Sequence, residues 1–307
     1  MTPRSRLRLR SRSSLLALLA FASPASACSQ QSDTTVAVPP NARIQIQNFA
    51  GSVTVRAWDR NAVHIAAGPT RRDEVRVRER DGTLTIATVS RTGVPARLDY
   101  EISVPAKAAL DISGTYTSIT IEGVQGSVSA TTVQGDVSLR GGDGVVSLKS
   151  VEGTVNVQNA TGRIEVNGVN KGLMLRNVNG DIAAETVNGS IVLDGIESSD
   201  VEAVTVNGRV TYEGTIRDRG RYRFGTHSGT IVISIPERAN ATIAAVSYQG
   251  TFSSRFPLPT GAAADAKGDR HRANFAFGTG SARVEAESFQ GGIILARPGD
   301  AVARPKE

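Results

Sequence analysis

Through residues 106–212 a nine-residue unit recurs, with apolar side chains at fixed places and glycine at a turn, and few folds can accommodate so strict a period. Counted from its glycine, the unit is apolar at −2, +2 and +4, with polar residues between. Val124, Gly126, Val128 and Ala130 form one copy, Val133, Gly135, Val137 and Leu139 the next, and Val151, Gly153, Val155 and Val157 a later one. The frame continues at Gly162, Gly180 and Gly189. It survives where Lys171 replaces the glycine, because Val169, Leu173 and Leu175 keep their places. Upstream, Leu110, Ile112, Ile119 and Ile121 fit without glycine. A slip of one residue between Ser198 and Val201 precedes the last clear copy, Val206, Gly208, Val210 and Tyr212.

Apolar residues of one parity lie on one face of a strand, and β-branched Val and Ile suit a pleated surface packed on one side. Glycine at the bend supplies backbone angles that other residues resist. One such strand cannot bury its apolar face alone, whereas like units stacked about 4.8 Å apart build a continuous core. The period therefore predicts an all-β fold, a β-solenoid of the parallel β-helix or β-roll kind with irregular β flanks. Two units per coil give roughly 18 residues per turn and three give a triangular helix. The mid-sized inward residues suit a sheet spacing of about 10 Å, which favours two. An antiparallel meander, the alternative, seldom holds a period this strictly.

Residues 1–27 read as an export signal. Arg4, Arg6, Arg8, Arg10 and Arg12 form the basic region, Leu15 to Ala22 the apolar core and Ala25-Ser26-Ala27 the cleavage site. The apolar core is too short to span a bilayer as a helix. Its removal takes away five arginines and no acidic residue, so the formal +6 of the whole chain falls to about +1. The mature charge therefore gives no reason to expect a nucleic-acid partner. Cys28 is the single cysteine, which excludes an intramolecular disulfide. It follows Ala25-Ser26-Ala27 as in a bacterial lipobox, although Ala25 stands where leucine is usual. Cys28 is thus a lipidation candidate, the other reading being plain signal cleavage in front of a free cysteine. Residues 28–40 are polar and contain proline, and predict a flexible tether.

The flanks alternate apolar and polar residues as strands do. Residues 41–105 form an N-terminal β region with Ile44 and Ile46, Val53 and Val55, Val63 and Ile65, Val75 and Val77, then Leu84 and Ile86, the last two pairs joined by an Asp81-Gly82 hairpin turn. Val38-Pro39, Val104-Pro105 and Ile235-Pro236 are followed at one offset by Ala42, Ala108 and Ala239 and then by Ile46, Ile112 and Ile243, which reads as a corner between sheets used three times. Residues 213–298 predict irregular C-terminal coils, with turn-then-strand signs at Gly229 and Ile231, Gly250 and Phe252, and Gly292 and Ile294; residues 299–307 are a tail. Within them, residues 255–272 are rich in Pro, Gly and Ala without apolar period and predict an exposed loop. Its charged end, Lys267, Asp269, Arg270, His271 and Arg272, is a candidate contact site.

The run Asn48-Phe49-Ala50-Gly51-Ser52-Val53-Thr54-Val55 leading to Trp58-Asp59, the Val104-Pro105 corner and the Gly-x-[Val/Ile] repeats resemble the exported bacterial family called "putative adhesin", a domain of unknown function. The resemblance covers roughly residues 40–298. It implies a β-solenoid at the cell envelope and carries no catalytic residues across.

The three histidines, His64, His227 and His271, are far apart and lack a metal-ligand spacing. At 18 residues per coil one outward column runs Ser127, Val145, Arg163, Asp181, Asp200. Asp181 and Asp200 are then the one acidic pair able to share a cation, with a polar surface row beside Arg163 as the competing reading. Asn188 and Asn207 stack in front of their glycines, and Arg140-Gly141-Gly142-Asp143-Gly144 is a single broken copy of a calcium-roll pattern. No cofactor is expected. The sequence points to a non-catalytic envelope protein, an adhesion or ligand-binding module, with a self-assembling scaffold or a polysaccharide-active enzyme as alternatives. The expected partner is an extended envelope glycan or surface protein, with membrane contact only through a lipid on Cys28. The expected place is the periplasm or envelope, anchored to the outer membrane or displayed at the surface.

Overall fold

The computed structural model of the chain describes residues 32–300 except 69–72, 91, 92, 94, 96, 260–262, 268 and 269. The signal, Cys28 and residues 301–307 lie outside the described residues. Among the described residues there are 25 strands. β1 (Ser32–Ala37) leads to β2 (Arg43–Trp58), β3 (Ala62–Ala67), β4 (Asp73–Arg80), β5 (Thr83–Ser90), β6 (Tyr100–Pro105) and β7 (Ala109–Glu122). The regular repeats supply β8 (Val128–Thr132), β9 (Val137–Arg140), β10 (Asp143–Ser150), β11 (Val155–Gln158), β12 (Thr161–Gly168), β13 (Leu173–Arg176), β14 (Asn179–Thr186), β15 (Ile191–Ile196), β16 (Asp200–Asn207) and β17 (Val210–Gly214). After them come β18 (Arg221–Ser228), β19 (Ile231–Ser234), β20 (Ala241–Ser247), β21 (Phe252–Ser254), β22 (Ala263–Lys267), β23 (Arg270–Phe277), β24 (Ala282–Gln290) and β25 (Ile293–Ala296).

Two nine-residue units make one coil. Val128 pairs in parallel with Val146, Val146 with Ile164, and Ile164 with Ile182, a step of 18 residues, and Ile182 pairs with Val201 across the expected slip. Strands β8, β10, β12, β14, β16 and β18 stack as one sheet, and β9, β11, β13, β15, β17 and β19 as the other. Val128, Val137, Val155, Ile164, Ile182 and Ile191 are buried between them. Ser129 and Glu165 are exposed, and Ser138 and Asn156 half-buried.

The two corners of each coil differ. At the first, buried hydroxyls donate to carbonyls of the preceding coil: Thr132 to Thr117 O at 2.8 Å, Ser150 to Gly135 O at 2.8 Å, Thr186 to Lys171 O at 3.1 Å and Thr205 to Gly189 O at 2.9 Å. A buried hydroxyl without a partner is costly, and here each also satisfies a turn carbonyl. The hydroxyl takes the inward place, so the apolar residue that follows turns outward. Val133, Val187 and Val206 are 47%, 40% and 42% exposed, where the repeat pattern placed all its apolar positions together. The backbone also closes tightly there, and a Cβ on Gly153 would lie 1.8 Å from Gly135 O. Gly153→Ala is therefore expected to destabilise the protein by about 2–3 kcal/mol, read as a lower urea midpoint.

At the second corner, Gly123, Gly141, Asn159, Asn177 and Gly195 stack in one column with φ of 74°, 85°, 55°, 51° and 65°. Glycine and asparagine are the residues that enter this left-handed region most readily. Asn177 also donates to Asn159 Oδ1 at 3.2 Å, which ties adjacent coils together. The threefold proline motif is one turn repeated: Ala42 N donates to Pro39 O at 3.0 Å, Ala108 N to Pro105 O at 3.0 Å and Ala239 N to Pro236 O at 3.1 Å.

Both ends depart from chain order. β2 forms a whole coil between β7 on one side and the later β5 and β6 on the other. Likewise β24 and β25 lie between β18 and β19 and the earlier β20 and β21. Antiparallel strands cover the ends: β4 on β5, β1 on β3, β23 on β20 and β22 on β23. Three expectations change accordingly. The tether of 28–40 contains β1, whose polar residues suit an edge strand that needs only ladder hydrogen bonds and one packed face. The loop of 255–272 contains β22 and the start of β23, because alternating Ala273, Phe275 and Phe277 pack inward on the core. The last turn glycine is Gly291 rather than Gly292, so Ile293 is buried and pairs with Phe252.

Where the coils widen, Tyr212, Tyr222 and Phe224 fill the core, with ring centroids 5.8 Å apart for the tyrosine pair and 5.1 Å for Tyr212 and Phe224. Tyr212 OH donates to Thr215 O at 2.7 Å and Tyr222 OH to Ser198 O at 2.6 Å. Burial raises both phenols above their ordinary pKa.

Candidate functional site, a groove on the outer sheet face

The out-of-order coil brings together outward residues that are remote in sequence. Val204 pairs with Gly225, Gly225 with Glu287, and Glu287 with Val246, so one column crosses β16, β18, β24 and β20. Glu202, Arg223, Glu285 and Ala244 form the parallel column on one side. On the other side, at the first corner, stand Val206, His227, Phe289 and Tyr248. The rings of His227 and Phe289 stack at 4.9 Å and 8°, and Tyr248 meets Phe289 at 5.8 Å and 34°. Between these columns lies a groove of about 660 Å³. Its depth comes from Gly225 and Ala244, which put little or no side chain on the floor. Gly225 does not need to be glycine for its backbone, since an added Cβ would make ordinary contact with Val204 at 3.5 Å.

The charges beside the groove are mostly paired. Arg221 meets Asp200 at 2.6 Å, Arg223 meets Glu202 at 3.2 Å, and Arg283 meets Glu285. These pairs line a second depression of about 570 Å³ that joins the groove through Arg223 and Glu285. Glu287 is exposed and, among the described residues, has no hydrogen-bond or ion-pair partner.

Asp181 and Asp200 do fall side by side, but the column runs Arg163, Asp181, Asp200, Arg221, with arginine at both ends. Asp200 is committed to Arg221, and among the described residues no group of three or more His, Cys, Asp or Glu is placed to hold a metal ion. Lys267 pairs in register with Arg270 at the end of the β22–β23 hairpin, and Asp269 lies outside the described residues. His271 is half-buried opposite Ser247. Arg272 is exposed opposite Val246 and so borders the groove. His64 bonds Asp33 at 2.8 Å between β3 and β1. The sequence reading did not single out Gly225, Glu287, Phe289 or Tyr248. A signal was there: Thr226-His227-Ser228-Gly229, Ser247-Tyr248-Gln249-Gly250 and Ser288-Phe289-Gln290-Gly291 repeat the corner Thr186-Val187-Asn188-Gly189 with a ring in place of the exposed valine.

Fold and groove define the chain as a two-sheet parallel β-solenoid with a ligand-sized depression near its C-terminal end. Residues 41–293 match the Toastrack DUF4097 family model, and the chain belongs to that family. Similar solved structures include a putative cell adhesion protein from Clostridium sporogenes, with 12% identity, 87% of this chain and 99% of that one covered, and a TM-score of 0.21. Putative adhesins from Bacteroides fragilis (13% identity, TM-score 0.36) and Parabacteroides distasonis (11%, 0.34) each cover 87% of this chain and 97% of their own. No curated protein matches the sequence.

Proposed function

We propose that this protein is a non-catalytic envelope adhesion module that holds an extended partner in the groove across β16, β18, β24 and β20. The observation that carries this reading is the groove itself, an apolar depression walled by the stacked rings of His227 and Phe289 and the tilted ring of Tyr248 on a face otherwise occupied by ion pairs. A concave apolar surface with a few convergent polar groups is the usual form of a binding site. Further support comes from the first corner, where Tyr116, Val133, Val187, Val206 and Phe289 expose large apolar surface along the solenoid. Contiguous exposed apolar surface marks interaction sites, and repeated weak contacts add along a long partner. The basic, apolar and small-residue segments of residues 1–27 support export, with Cys28 as the point of lipid attachment. The antiparallel strands over both ends count against end-to-end assembly as a scaffold.

The test uses the mature chain beginning at Cys28, offered to envelope fractions and glycan arrays. Phe289→Ser combined with His227→Ser is expected to lower retention at least about tenfold while leaving the melting temperature near that of the parent. Undiminished retention, or glycan hydrolysis by the pure chain, would overturn the reading.

A further inference from the structure

We infer that the partner held in the groove is a polypeptide segment presenting a lysine or arginine between apolar side chains, with Glu287 as the anchor for its charge. This rests on the groove being the binding site. On β16, β18 and β24 the outward carboxylates Asp200, Glu202 and Glu285 each have an arginine partner, and among the described residues Glu287 has none. Its neighbours within the column are Gly225 and Val246, so among the described residues no cation sits beside it there. Arg223 is held by Glu202, and Arg272 lies beyond Val246, two strand spacings or about 10 Å from the Glu287 position.

A carboxylate set in an apolar surface gains most from a ligand that brings both a cation and an apolar stem. Lysine and arginine do this, laying methylenes on Val204, Val246 and the corner rings while the charged head reaches the carboxylate. The ring geometry disfavours two other ligands. His227 covers one face of Phe289 at 4.9 Å and Tyr248 tilts over the other at 5.8 Å, so the central ring offers no fully open face for a neutral sugar or a quaternary ammonium to stack upon. Arg272, at the groove's end, is placed to meet a peptide carbonyl or carboxylate further along the same segment.

Fluorescence anisotropy of the mature chain with a labelled Gly-Leu-Lys-Leu-Gly peptide and its Gly-Leu-Glu-Leu-Gly counterpart tests this. The lysine peptide is expected to bind at least about tenfold tighter than the glutamate peptide, and Glu287→Gln to weaken it by about tenfold. Gly225→Val fills the floor and is expected to abolish binding of both, with melting unchanged in each variant because Glu287 is exposed and the extended backbone at Gly225 accepts a side chain. No binding of the lysine peptide, equal binding of the two peptides, or indifference to Glu287→Gln would overturn the inference. If one of these occurs while the Phe289 and His227 variant still loses envelope retention, the peptide assignment falls and the groove stands. If retention is unaffected as well, both fall.

Discussion

Val155→Asp is expected to destabilise the protein by about 4 kcal/mol or more, because it places a charge in the core and removes a packed side chain. Val155 is fully buried and lies in register between Val137 and Leu173, so no water or cation is at hand for the carboxylate. Burial would raise the pKa of that carboxyl above its unfolded value. The unfolded chain would then release its proton first as pH rises, so the defect grows above about pH 4 and shrinks below it. Asn156→Asp, one residue away on the outer face, is expected to stay within about 0.5 kcal/mol of the parent. Urea unfolding of both variants at two pH values checks this, and equal losses at the two positions would contradict the assigned register.

Ending the chain after Gly280 is expected to release everything from β20 to β23 while leaving the coils before β20 folded. The deletion removes β24 and β25, among the described residues the only parallel partners of β20 and β21 and the layer that joins them to β18 and β19. What remains against β20 is the β22–β23 hairpin, and so small an isolated sheet is marginal in water. Coils further away contact only their own neighbours and should persist. Limited proteolysis and hydrogen exchange should show cleavage and fast exchange from residue 241 onward with protection kept in β8 to β17. Protected β20 amides in the shortened chain would show that the coil order matters less than proposed.

The regular coils were legible because their information is local. Val155 and Val157 share parity, the glycines recur every nine residues, and the slip after Ser198 is visible as one displaced valine. The proline corners were legible for the same reason, since Pro105 and Ala108 meet within one turn. Local pattern could not show which coil lies next to which. The exposed edge of β18 can accept any parallel strand of suitable parity, and nothing around Ser228 indicates that its partner is Gln290 rather than a residue of β20. Gly291 and Gly292 are each followed two places later by isoleucine, so sequence alone left that frame ambiguous. The alanines of β22 resemble loop composition until Ala273 and Phe275 are seen to bury. The groove was hidden for a stronger reason: Gly225 matters only through its pairing with Val204 and Glu287, and Glu287 is remarkable for nothing in its own neighbourhood.

The order of layers also sets an order of events. A chain that emerges N-terminus first, from a ribosome or a secretion channel, can add β8 to β19 coil upon coil as each appears. β20 then emerges before its partner β24, the layer that comes to lie between it and β18 and that follows some forty residues later. Until that strand arrives, Val246 and Tyr248 stand apart from Gly225 and His227, and no groove exists. The groove is therefore the last feature the chain acquires, and the partner binding proposed for it is withheld from any copy whose synthesis or passage stops short of Phe289.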